Sequence, residues 1–186
     1  AYRALFADRG IRTEGVYVAP GRTFRWSGAY RGAMNEAETL AVELNVFGSF
    51  EPRIPVSFAD SRYVFLANGS PRVQRAVREQ FPSAALVVCD TMNYYITNAL
   101  AELKALIAEV DGLVLNDQEA RMLTGSQVLV DAGRRIIDMG PGFVVIKKGE
   151  HGALLVSHSD TIAFPAFPTA AVKDPTGAGD SFAGGM

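Results

Sequence analysis

Residues 174–185 read Asp-Pro-Thr-Gly-Ala-Gly-Asp-Ser-Phe-Ala-Gly-Gly, a dense run of small residues with one aspartate at its start and another in its middle. Gly177 and Gly179 let the backbone bend sharply and expose consecutive N–H groups, just before a stretch that reads as a helix start. At a helix start those groups and the helix dipole favour an anion such as phosphate. Asp180 falls in the first turn beside that anion hole. A carboxylate there either complements the dipole or accepts a proton from a hydroxyl held against a phosphate. The candidate catalytic cluster is therefore Asp180 with the backbone of Gly177, Ala178 and Gly179. Two other phosphate motifs do not fit. A P-loop needs a Gly-Lys-Ser/Thr ending, and no lysine follows here; a dinucleotide fingerprint needs a third glycine where Phe182 stands.

Three further groups stand where apolar runs stop. Asn116-Asp117-Gln118-Glu119 has the spacing of a capping box, Asn116 capping and Glu119 reaching back. The same pair could hold water around Mg²⁺ near a phosphate, because Mg²⁺ prefers oxygen ligands and keeps waters. Lys147-Lys148-Gly149-Glu150-His151-Gly152 is either a tight turn with solvated charges or a wall of a nucleotide site, with His151 read as a surface turn residue. In Asp90-Thr91-Met92-Asn93, Asp90 is read as a cap of the following segment and Asn93 as pointing into a ligand cleft.

Placing these groups requires strands that end on one side. Tyr63–Ala67, Ala84–Cys89, Gly112–Leu115 and Phe143–Lys147 read as short strands, Ala84–Cys89 of the kind buried on both faces of a sheet and Gly112–Leu115 another short buried one. Helical patterns separate them: one opened by Ser70-Pro71, one over Tyr95–Val110, and two more over Asp117–Leu123 and Val128–Met139. Ala153–Val156 and Thr161–Phe164 read as a hairpin turning at Ser157–Asp160. This alternation predicts an α/β fold with a mostly parallel sheet covered by helices on both sides. Ligands of such sheets sit beyond the carboxyl ends of the strands. The first third departs from the rhythm. Ala1–Gly10 reads as a helix end, Ile11–Arg25 is strand-like with turns, and Thr23–Trp26 and Thr39–Phe47 show period-2 features. It is expected to form a separate small sheet or flap, ahead of a linker at Gly48–Pro55.

The 186 residues carry a net charge of −2, so no basic excess points to nucleic acid or an anionic membrane. No apolar run reaches the roughly 18–20 residues of a membrane span, and no secretory signal is visible at the start. Cys89 is the single cysteine, too few for an internal disulfide or a metal cluster, and fits a cytoplasmic setting.

These motifs carry a resemblance. DPTGAGDSFAGG closely resembles the second signature of the PfkB family of carbohydrate kinases, the ribokinase-like group. LNDQEARMLTG resembles that family's Asn-x-x-Glu region, VVIKKGEHGALL its strand–turn–strand before the signature, and GRTFRWSGAY a strand of its substrate flap. The resemblance implies a ribokinase-like central sheet with a small β lid, the lid strands at about 11–58 and the α/β core at about 61–186. It implies transfer of the ATP γ-phosphoryl group to a hydroxyl of a sugar or similar small molecule, with nucleosides and vitamin-like alcohols as alternatives. Asp180 would be the base, and the amides of Gly177, Ala178 and Gly179 the anion hole. Asn116 and Glu119 would organise Mg²⁺ through water, while Asn93, Lys147, Gly149 and Thr176 would lie at the nucleotide. Asp174 and Thr176 are candidates for a monovalent cation such as K⁺. Arg25, Trp26 and Tyr30 of the lid are candidates for the acceptor, and the lid is a candidate homodimer interface. The family's glycine-rich substrate signature and the segment completing the adenine site are not in this sequence, so the chain is expected to be a piece of a longer protein. Pro175 stands where threonine or serine is common in the family.

Overall fold

The computed structural model describes residues 2–30 and 37–186; residues 31–36 of the expected lid lie outside the described residues. The chain opens with helix α1 (Tyr2–Ala7), after which Gly10 takes a positive φ of 68°. Strands β1 (Arg25–Tyr30) and β2 (Ala37–Glu43) pair antiparallel into a two-stranded ribbon, the lid. Two expectations are corrected here. Ile11–Phe24 forms no strand and is tied by side chains instead, with the Tyr17 hydroxyl donating to the Arg53 carbonyl and Arg12 to that of Ser57. The second strand stops at Glu43, because Asn45 turns left-handed (φ 48°) and a 3-10 turn follows over Asn45–Ser49.

The core is a six-stranded sheet in sequential order. Strands β3 (Tyr63–Leu66), β4 (Leu86–Asp90), β5 (Gly112–Asn116) and β6 (Phe143–Lys147) run parallel. Strands β7 (Ala153–Ser157) and β8 (Thr161–Phe164) return antiparallel. Helix α2 (Pro71–Arg78) starts with Pro71 in its first position and the Ser70 hydroxyl accepting from the Val73 N–H. The pattern over 95–110 is two helices rather than one, α3 (Asn93–Asn98) and α4 (Leu100–Ile107). Ala99 leaves helical geometry (φ −144°, ψ 39°) between them, and both helices still turn apolar side chains, Ile96 and Leu103, into the same core. Helices α5 (Asp117–Thr124) and α6 (Leu129–Ile137) complete the crossover to β6; Gly125 closes α5 in the left-handed conformation.

Alternation along the strands sorts the sheet into two faces. On one face Val87, Cys89, Leu113, Leu115, Val144 and Ile146 bury against Leu103, Leu106, Ile107, Leu123 and Ile136 of the crossover helices. Full burial of one such side chain stabilises by about 1.5–3 kcal/mol. The opposite face carries Val88, Val114, Val145 and Ala153. Among the described residues α7 (Ala178–Gly184) lies over it, so helices flank the sheet on both sides as expected, several on one face and one on the other.

Candidate active site

The second face turns polar at its carboxyl edge. Two residues beyond Val88, Val114 and Val145 stand Asp90, Asn116 and Lys147, which alternation places on the same face, the one α7 covers. Gln74 of α2 secures this edge. Its amide donates to the carbonyls of Leu66 (2.8 Å), Ala67 (3.2 Å) and Asp90 (2.9 Å), tying the ends of β3 and β4 together.

The glycine turn approaches the same edge. Gly177 takes φ 78°, a conformation that disfavours other residues, and serves as N-cap of α7. At Gly179 the missing side chain matters for space: a Cβ would lie 3.1 Å from Lys147 Nζ. The ammonium therefore rests against the turn. The Ala178 N–H is spent on the Pro175 carbonyl at 3.0 Å, whereas the N–H groups of Gly177, Gly179 and Asp180 have no acceptor among the described residues. Of the expected anion hole, Gly177 and Gly179 keep free donors and Ala178 does not. Before the turn, the Asp174 carboxylate accepts from the Thr176 N–H at 2.9 Å, and hydrogen bonds from Thr176 hold it below the usual carboxylate range.

Asn116 and Glu119 form the full capping box. Glu119 Oε2 accepts from the Asn116 N–H and Asn116 Oδ1 from the Glu119 N–H, each at 2.7 Å. Glu119 is buried. That burial pushes its carboxyl up, opposed by the Asn116 N–H and by Lys147.

Asp90 is the residue sequence reasoning undervalued. It is 6% exposed, and its Oδ1 has no hydrogen-bond partner among the described residues. Neighbouring Thr91 Oγ1 is equally orphaned. Burial pushes the Asp90 carboxyl up to about 7, Lys147 pulls it down, and Asp180 and Glu119 push it further up. Asp90, Glu119, Lys147 and Asp180 thus act on one another across a single edge. Buried polar atoms are almost always paired, and orphans concentrate where a ligand completes them. The available signal was an aspartate ending an apolar strand, read as a cap; its burial arises only once β5 and α7 are in place. Among the described residues no group of three His, Cys, Asp or Glu side chains is arranged to hold a metal by itself. A site that relies on waters and phosphate oxygens does not need one.

A cavity of about 460 Å³ opens between this edge and the lid. Asn93, Asn116, Glu119, Lys147, Gly149 and Trp26 all line it. Trp26 is anchored by its Nε1 donating to Thr39 Oγ1 at 3.1 Å. Arg25, one residue away on the other face of β1, is absent from the lining, as is Tyr30. The exposed His151 sits at the rim in a 3-10 turn over Gly149–His151. The glycine turn borders the cavity through Lys147 rather than lining it.

A sequence profile described as pfkB family carbohydrate kinase matches residues 2–186. A cytidine kinase from Thermococcus kodakarensis is 30% identical over 178 residues, covering 92% of this chain and 63% of that protein. Among solved structures, a nucleoside kinase from Burkholderia thailandensis in complex with inosine superposes with a TM-score of 0.73 at 21% identity, covering 99% of this chain and 61% of that one. A ribokinase from Thermotoga maritima gives 0.73 at 20% identity, covering 98% and 62%. The chain thus spans about three fifths of the length of these relatives. No helix among the described residues is long and apolar enough to cross a membrane.

Proposed function

The chain belongs to the pfkB family of carbohydrate kinases, and on that premise we propose that its protein transfers the ATP γ-phosphoryl group to a hydroxyl of a sugar or nucleoside, with Asp180 as the base. The observation that carries this reading is the meeting of Asp90, Glu119, Lys147 and Asp180 beneath a glycine turn with unspent N–H groups.

The residues present fit Mg-ATP. The orphaned Asp90 Oδ1, the buried Glu119 and the side-chain-free approach at Gly179 are respectively an acceptor, a charge and a space that a phosphate–cation group would use. When bound, Mg-ATP supplies the phosphoryl group and a divalent charge to neutralise it. The N–H groups of Gly177, Gly179 and Asp180 and the Lys147 ammonium take up negative charge on the phosphate side. Asp180 holds the acceptor hydroxyl by its proton and removes that proton as the oxygen forms its new bond. The Asn116 N–H holds one oxygen of Glu119 and leaves the other for water on the cation. The lid, through Trp26, closes over the acceptor and excludes water. Asp174 and Thr176 are proposed to serve a monovalent cation beside the turn. The lid ribbon has strand edges open to pairing, so homodimerisation through it is part of the proposal.

The test is ADP release from Mg-ATP across sugars, polyols and nucleosides, using the full-length protein. Asp180→Asn keeps the shape and removes the base. It is expected to lower kcat by at least about a hundredfold with nucleotide affinity largely kept. Near-normal turnover in that variant refutes the base. Mg-ATP binding with no acceptor-stimulated release across the panel would favour a silent binding module of the same fold.

A further inference from the structure

A smaller cavity of about 180 Å³ adjoins the first and shares Phe24, Asn68 and Met92 with it. Its remaining walls are Val42, Leu44 and Phe47 from the lid and Tyr94 and Tyr95 from α3. Its character is unlike that of its neighbour. Cations, carboxylates and amides line most of the larger space beside Phe24, Trp26 and Met92, while this one is lined by aromatic and aliphatic side chains with Asn68 and Met92 at its edge. Phe24 and Tyr94 remain 39% and 38% exposed, large apolar surfaces left without protein cover.

The aromatic walls are held in place. Phe24 meets Phe47 edge-on (centroids 5.9 Å apart, 74° between planes), and Tyr94 meets Tyr95 likewise (5.3 Å, 83°). Phe47 reaches across to the core because residue 69 is glycine: a Cβ there would lie 3.3 Å from the ring. At the junction of the two spaces stands Asn68, whose amide, among the described residues, donates only to the Met92 sulfur, at 3.3 Å. A thioether is a weak acceptor, so this amide remains available to a better partner.

We propose, resting on the phosphotransfer reading above, that the acceptor is a nucleoside, its flat heteroaromatic ring seated in this aromatic chamber and its pentose in the polar cavity. A free pentose presents hydroxyls on every edge, and burying them against Phe24, Val42, Leu44 and Phe47 would leave hydrogen bonds unmade. A heteroaromatic ring offers apolar faces to the walls and polar atoms at its rim, where the Asn68 amide stands ready to donate or accept. The rigid rings also reduce the ordering cost of binding.

The test separates this assignment from the kinase reading by measuring binding without ATP. Calorimetry on the full-length protein compares inosine and cytidine with ribose, and with pyridoxine as an aromatic alcohol lacking a pentose. Stacking on aromatic walls predicts nucleoside affinity roughly ten- to a hundredfold above ribose. Phe24→Ala and Tyr94→Ala are each expected to remove most of that preference, and Tyr94→Phe to keep it. Thermal melting and Mg-ATP affinity confirm that each variant is folded. The proposal is overturned if ribose or pyridoxine binds as tightly as the nucleosides, if the preference survives both alanine variants, or if no probe binds. Preferential nucleoside binding without stimulated ADP release would refute phosphotransfer and keep the chamber; release stimulated by ribose without nucleoside preference would do the reverse.

Discussion

Replacing Asp90 by asparagine is expected to stabilise the ligand-free protein at alkaline pH. The Asp90 carboxyl moves from 3.8 to about 7 on folding, chiefly through burial. Its native form therefore holds a proton more tightly than its unfolded form. Stability is lost as pH climbs from about 4 to about 7 and is flat above that. Each tenfold difference in proton affinity between the two forms is worth about 1.36 kcal/mol, so the carboxylate costs roughly 4 kcal/mol of folding stability at pH 8 and roughly 2 kcal/mol at pH 5. Asparagine imitates the protonated form at every pH. The gain of Asp90→Asn over the wild type should thus grow by roughly 2 kcal/mol between pH 5 and pH 8. Glu119 shifts in the same direction but is present in both proteins, so it largely cancels in the difference. Urea unfolding at the two pH values, without nucleotide, measures it. A pH-independent difference, or a less stable variant at pH 8, would refute the reasoning and mean that Lys147 outweighs the desolvation of Asp90. The same variant should lose activity, since a strained group at a working site exchanges stability for function.

Other perturbations probe the remaining contacts. Lys147→Met removes the cation that opposes burial at Asp90, so the pH range over which stability falls should extend upward; an unchanged pH profile contradicts the pairing. Gly179→Val places a branched side chain against Lys147 Nζ, its Cβ 3.1 Å away, and should weaken Mg-ATP binding at least about tenfold by titration calorimetry; unchanged affinity would remove the turn from the nucleotide site. Asn116→Ala breaks one half of the capping box and should cost about 1 kcal/mol in urea unfolding, with a null effect refuting the cap. Gly152→Ala directs a Cβ to 1.9 Å from the Phe164 carbonyl oxygen at φ 85° and should lower stability by about 2 kcal/mol or more; a wild-type melting curve would show that the β7–β8 region yields freely.

Strand β6 at 143–147 and β8 at 161–164 were legible from apolar runs bounded by glycine, proline or polar turns, because local composition alone specifies them. The turn at 177–180 was legible because few other uses explain that residue string. The break at Ala99 was not, since alanine carries no breaking signal and the break is defined by the two helices packing on one core. The irregular course of Ile11–Phe24 was hidden for a similar reason: its ties lie 36 to 45 residues away in sequence. Glu119 was found through its spacing from Asn116. Asp90, by contrast, draws its character from burial in the folded sheet and then from Lys147 and Asp180, which no local pattern joins to it. The aromatic chamber needed the lid and α3 to meet, and Phe24 and Tyr94 read individually as ordinary apolar residues.

On the proposed role of Glu119 at a cation, the capping box would limit which ions the protein could serve. With Oε2 of Glu119 committed to the Asn116 N–H at 2.7 Å, one carboxylate oxygen is left for anything else. Calcium commonly takes carboxylates in bidentate fashion and gathers six to eight oxygens, so binding it well through Glu119 would mean unfastening the start of α5. Magnesium accepts a single oxygen, or only its own waters, and leaves the helix start intact. On that role, selectivity between two abundant divalent ions would be set by a backbone hydrogen bond that, taken alone, looks like ordinary helix construction.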